Sequence, residues 1–124
     1  MENLKKDAKK FLMQLIETPS FSREEEITAL IIEKYLREKK IKKQKKGNNI
    51  WAKNLYFDEN LPTILLNSHH DTVKPNSAYT LDPFKAIEKD GKIFGLGSND
   101  AGASLVSLWA VFSHFYAQKL KYNL

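Results

Sequence analysis

Two groups of residues in this 124-residue chain have the types and spacing to do chemistry. The first is Ser68-His69-His70-Asp71-Thr72-Val73, directly after an apolar run, Thr63-Ile64-Leu65-Leu66-Asn67. Side chains alternate along an extended backbone, so His69 and Asp71 point to one side and His70 to the other. At the end of a strand, His69 can offer one ring nitrogen to a metal while the Asp71 carboxylate receives the other N–H. That contact fixes the tautomer and raises the basicity of the ligand. Taken alone, a His-x-Asp triplet also fits a surface turn with a hydrogen-bonded histidine.

The second group is Gly95-Leu96-Gly97-Ser98-Asn99-Asp100-Ala101-Gly102. Asp100 stands where a dinucleotide fingerprint needs its third glycine, and no Lys-Ser or Lys-Thr follows to make a phosphate loop. An acidic residue at a helix start also serves as a cap. Capping leaves the small residues on both sides unexplained; they let backbone or ligand approach closely. A histidine at one strand end and a carboxylate in a Gly-rich loop about thirty residues on could together assemble a metal site at the carboxyl edge of a sheet.

The elements that must position these groups follow from periodicity. Leu4, Ala8, Phe11, Leu12, Leu15 and Ile16 recur at helical spacing, predicting a helix that ends near Thr18-Pro19. Ser22 with Glu25 has the form of a capping box, and Ile27, Leu30, Ile31, Tyr35 and Leu36 predict the inner face of a second helix running to about Lys39. Strands are predicted over 41–45 and 49–53, joined at Gly47-Asn48, and over 63–68. The last alternates too little for a half-exposed strand, so it reads as interior to a sheet covered on both faces. A hairpin pairs Ala86-Ile87-Glu88 with Lys92-Ile93-Phe94, with Gly91 supplying a positive φ at the turn. A helix from about Ala101 to Gln118 is apolar nearly all round. The predicted fold class is α/β: a mostly parallel sheet with an antiparallel hairpin and helices packed on it.

The stretches "NSHHDTV", "DPFKAIEKDGKIFGLGSND" and "AGASLVSL" resemble the two signature regions of the M20 metallohydrolases, in the same order and with the same hairpin between them. The resemblance implies that His69 binds one zinc and that Asp71 is the catalytic residue that orients it. It also implies that Asp100 bridges two zinc ions, with cobalt as the alternative metal, and that a cis peptide follows Asp100. Leu96, where the family often has Arg, and Ala101-Gly102-Ala103, where it often has Met-Lys-Gly, make the sequence look most like the acetylornithine deacetylase branch. The implied substrate is an N-acyl amino acid or a short peptide. On this reading residues 1–124 are the N-terminal portion of a catalytic domain whose remainder, with its lid or dimerisation domain, is absent. The implied centre also needs adjacent glutamates beyond the long helix, a further acidic ligand and a distant histidine. No Asp or Glu follows Asp100, and His114, in an apolar helix, reads as a packing residue. By itself the chain is expected to be inactive. The alternative is a non-catalytic binding or oligomerisation module, its last helix covered by a second copy in a homodimer.

Composition narrows the remaining classes. With 42% hydrophobic residues, including seven Phe, five Tyr and two Trp, the chain can bury one core. Without cysteine there is no disulfide or thiolate ligand, so a metal must be held by His, Asp or Glu. No apolar stretch spans a bilayer, and the chain reads as soluble and cytoplasmic. The net charge of +5 comes largely from Lys39, Lys40, Lys42, Lys43, Lys45 and Lys46. Such a run could bind nucleic acid. No aromatic is interleaved to stack a base, so it reads instead as a solvated helix end and a lysine-protected edge strand, with no nucleic-acid or membrane partner.

Overall fold

Helical spacing of apolar residues builds the first element, α1 (Glu2–Ile16), whose Phe11, Leu12, Leu15 and Ile16 are buried. Pro19 cannot continue the helix, and the Thr18 hydroxyl donates to the Gln14 carbonyl (2.9 Å) at its end. The computed structural model describes residues 2–124.

The second helix, α2 (Glu26–Glu38), starts later than the sequence predicts and turns a different face inward. Glu25 precedes it without a side-chain cap, and Ser22 lies outside the helix, so the capping box does not form. Thr28, Ala29, Ile32, Tyr35 and Leu36 are buried, whereas Ile27 and Leu30 stay 61% and 58% exposed. Two contacts set this rotation. Tyr35 stacks flat on Phe11 (centroids 4.2 Å apart, planes 4° apart), and the Thr28 hydroxyl, fully buried, meets the His70 ring. A polar residue on the inner face is tolerated because it has hydrogen-bond partners there.

Next comes an antiparallel hairpin, β1 (Lys43–Lys46) and β2 (Asn49–Ala52). Ile50 and Ala52 face the core, while Trp51 is 42% exposed. Half of the lysine run is held by carboxylates: Lys39 by Asp7, and Lys43 and Lys45 by Glu33. The hydrogen bonds from Lys43 and then Lys45 hold the Glu33 carboxyl below its ordinary range.

The segment after β2 overturns the predicted sheet. Among the described residues there are three helices and two small antiparallel two-stranded sheets, and no parallel sheet. Thr63–Ser68 is not a strand interior: Leu65 is 81% exposed and Ile64 45%. Its contacts with another strand-like segment reduce to one parallel bridge, Thr63 to Asn123, in which the Ile64 N–H donates to the Asn123 carbonyl (3.0 Å). A low degree of alternation reports an apolar strip, but a sheet also needs a neighbouring backbone along its length.

Asn123 fixes that bridge from a fully buried position. Its amide donates to the Asp58 carbonyl (2.7 Å), the Leu61 carbonyl (3.1 Å) and Thr63 Oγ1 (3.2 Å), and its Oδ1 accepts the Asp58 N–H (2.9 Å). Asn123→Ala should therefore cost about 2–3 kcal/mol, the penalty for stranding buried polar groups. Denaturant unfolding would read the loss, and amide exchange at Ile64 would show the bridge opening. Unchanged protection there would contradict the assignment.

The second hairpin, β3 (Ile87–Lys89) and β4 (Lys92–Phe94), turns through Asp90 (φ 52°) and Gly91 (φ 71°). Positive φ at both turn residues matches the twist of the flanking strands. A kinked turn over Ser98–Gly102, its backbone non-helical at Asp100 and Ala101, then leads into α3 (Ala103–Phe115), and the Asp100–Ala101 peptide is cis. Helix α3 packs on α1 and buries Leu105, Val106, Ala110 and Phe112. Its all-round apolarity is only partly used, since Val111 is 44% exposed. No helix is long and apolar enough to cross a membrane among the described residues.

Candidate metal centre

The extended segment through Asp71 and the turn through Asp100 converge at His69. Its Nε2 lies 3.1 Å from Asp100 Oδ1. On the opposite side of the ring, Nδ1 lies 3.1 Å from the Asp71 carbonyl oxygen and 3.2 Å from Asp71 Oδ1. Acceptors thus stand at both nitrogens, and the imidazole is oriented from two elements distant in sequence. His70 points away, as alternation requires, with Nδ1 at 2.8 Å from Thr28 Oγ1 and Nε2 at 3.0 Å from the Asn48 carbonyl.

Each arm is positioned by backbone packing. The Asp100 turn closes through a hydrogen bond from the Gly102 N–H to the Gly97 carbonyl (2.8 Å). A Cβ on Gly102 would stand 2.5 Å from that carbonyl oxygen and 2.7 Å from Leu12 Cδ1, so one small residue is required by the turn itself and by its seat on α1. The His69 arm is tied down by the loop between α1 and α2. Thr72 N–H donates to the Ser20 carbonyl (2.7 Å), Ser22 N–H donates to the Thr72 carbonyl (3.2 Å), and Ser20 Oγ donates to the His70 carbonyl (2.9 Å).

The Ser22 hydroxyl adds a fourth tie, donating to Asp71 Oδ2 at 2.5 Å, the length of a charge-assisted O–H···O⁻ bond. This bond is the largest influence holding the Asp71 carboxyl below its ordinary range. Partial burial pulls the other way, and the neighbouring His69 adds to the lowering. Ser22, Ser20 and Thr28 escape the sequence reading because Ser and Thr beside a helix start look like caps.

The donor set fits part of a zinc site. Two donors about 2.0–2.1 Å from one tetrahedral zinc stand about 3.3 Å apart, close to the 3.1 Å between His69 Nε2 and Asp100 Oδ1. Asp71 sits at the other nitrogen, so it supports His69 rather than joining it. Consequently, no group of three or more His, Asp or Glu side chains gathers as a metal cage among the described residues. His114 is exposed near the end of α3, its ring edge-on to Phe115 (4.8 Å), rather than packed inside.

Beside His69 runs a groove of about 580 Å³, bordered by β2, the Thr63–Asp71 segment and α3. Trp51, Leu66, Leu108 and Trp109 contribute apolar surface to it.

This histidine and carboxylate stand on a segment and a turn joined by a hairpin, and comparison with known proteins relates the stretch that carries them to a metallohydrolase family. Residues 65–124 match the family described as Peptidase family M20/M25/M40, so this half of the chain is related to the M20 metallohydrolases. Over 66 residues, half of the chain, the sequence is 38% identical to an uncharacterized metallohydrolase of Methanococcus maripaludis. The matched region spans 16% of that protein's length.

Proposed function

We propose that these residues supply the first donors of a zinc-dependent amide hydrolase acting in the cytoplasm on N-acyl amino acids or short peptides. The observation that supports this reading is the approach of His69 Nε2 and Asp100 Oδ1 to 3.1 Å, with Asp71 holding the far side of the ring. In the proposal His69 and Asp100 hold metal, and Asp71 keeps His69 in the tautomer that leaves Nε2 free to donate its lone pair. Zinc bound there would supply Lewis-acid polarisation of an amide carbonyl and acidify water. A general base and further donors must come from residues beyond these. The finer assignment, an acetylornithine deacetylase-like enzyme, rests on the Leu96 and Ala101-Gly102-Ala103 variant of the Gly-rich motif.

The test is calorimetric titration of Zn²⁺ into the chain, the His69→Ala variant and the Asp100→Ala variant. The expected result is weak, chelator-reversible binding by the unaltered chain, lost in both variants. Equal binding by all three would overturn the proposal, because the metal would then be held elsewhere.

A further inference from the structure

Ser22 stands out as a polar side chain with a partner in the site but no role in the helix it precedes. Its hydroxyl reaches Asp71 Oδ2 (2.5 Å), while Asp71 Oδ1 faces His69 Nδ1 (3.2 Å) beside the Asp71 carbonyl oxygen, which meets the same nitrogen at 3.1 Å. A carboxylate has two oxygens and rotates about its own bond unless both are engaged. Ser22 engages the oxygen that His69 does not. We propose that Ser22 is a positioning residue, locking the Asp71 carboxylate in the rotamer that presents Oδ1 to His69 and so setting the imidazole against Asp100.

Two features separate this role from simple loop stability. The backbone ties that clamp the loop to the site segment, Thr72 N–H to the Ser20 carbonyl and Ser22 N–H to the Thr72 carbonyl, need no Ser22 side chain. The buried hydroxyl of Ser20 serves the His70 carbonyl, a backbone group, whereas that of the exposed Ser22 serves a side chain. The loop therefore divides its work: Ser20 holds the chain and Ser22 aims the carboxylate. The proposal deepens the hydrolase reading and rests on it for its purpose, but its geometry stands without any metal.

The experiment is NMR on the metal-free chain, comparing Ser22→Ala and Ser22→Thr with the unaltered protein. It follows the His69 Nδ1–H exchange rate and the amide protection of Thr72. In Ser22→Ala the His69 proton should exchange roughly tenfold faster, as for loss of one hydrogen bond to a charged group. Thr72 protection should stay within about twofold, and Ser22→Thr, which keeps the hydroxyl, should restore the rate of the unaltered protein. An unchanged His69 proton in Ser22→Ala would overturn the proposal, and so would loss of both signals' protection together, which would make Ser22 a loop anchor. Failure of zinc to bind would bear on the hydrolase reading alone and would leave this result unaffected.

Discussion

Phe11→Ala should remove about 3–5 kcal/mol of stability, the range for truncating a buried phenylalanine. Phe11 is 2% exposed, lies at the meeting of α1 and α2, and stacks on Tyr35 at 4.2 Å. Such a ring pair adds about 0.5–1.5 kcal/mol beyond the area it buries. A domain of this size has about 5–15 kcal/mol in total, and this one leaves Leu65 largely and Ile64 partly in water. The midpoint of thermal unfolding, followed by near-ultraviolet circular dichroism, should fall by about 10–20 °C. Ile27→Ala and Leu30→Ala, on the exposed side of α2, should each change stability by no more than about 0.5 kcal/mol. If Leu30→Ala proved as costly as Phe11→Ala, the observed face of α2 would be wrong.

Gly95→Ala should be nearly as damaging, by about 3 kcal/mol, and it should also disturb the site. Gly95 has φ of 150°, a conformation that side chains disfavour, and a Cβ there would stand 2.2 Å from Ile16 Cγ2. Ile16 is 3% exposed and part of the core, so it has no room to withdraw. Relief must come from displacing the loop that begins at Gly95 and ends at Asp100. Gly91→Ala provides the comparison: its φ is also positive, but nothing lies within 4 Å of the added carbon. That variant should lose only about 1 kcal/mol, from backbone strain alone. The His69 ring proton resonances should shift in Gly95→Ala and stay put in Gly91→Ala. Equal losses in the two variants would show that the Ile16 contact is not what constrains the loop.

Local pattern is legible in this sequence wherever local physics decides. The apolar spacing of α1 predicts its inner residues, and Gly47-Asn48 and Asp90-Gly91 mark both hairpin turns. The alternation that sends His69 and His70 to opposite sides holds as well. Legibility fails where a distant partner decides. The run over 63–68 is apolar enough for a buried strand, but burial depends on a neighbouring backbone that meets it only at Thr63. The inner face of α2 depends on Phe11 and His70, and the use of Ser22 on Asp71. The approach of His69 to Asp100 is likewise tertiary. No spacing rule brings two residues 31 positions apart together; in the sequence only their residue types and the family resemblance point to it.

The groove beside His69 carries both tryptophans of the chain, Trp51 from β2 and Trp109 from α3. Indole emission changes colour and yield when water leaves its surroundings, so whatever settles between these walls announces itself optically. The protein carries its own fluorophores at the place where a dye would otherwise have to be attached.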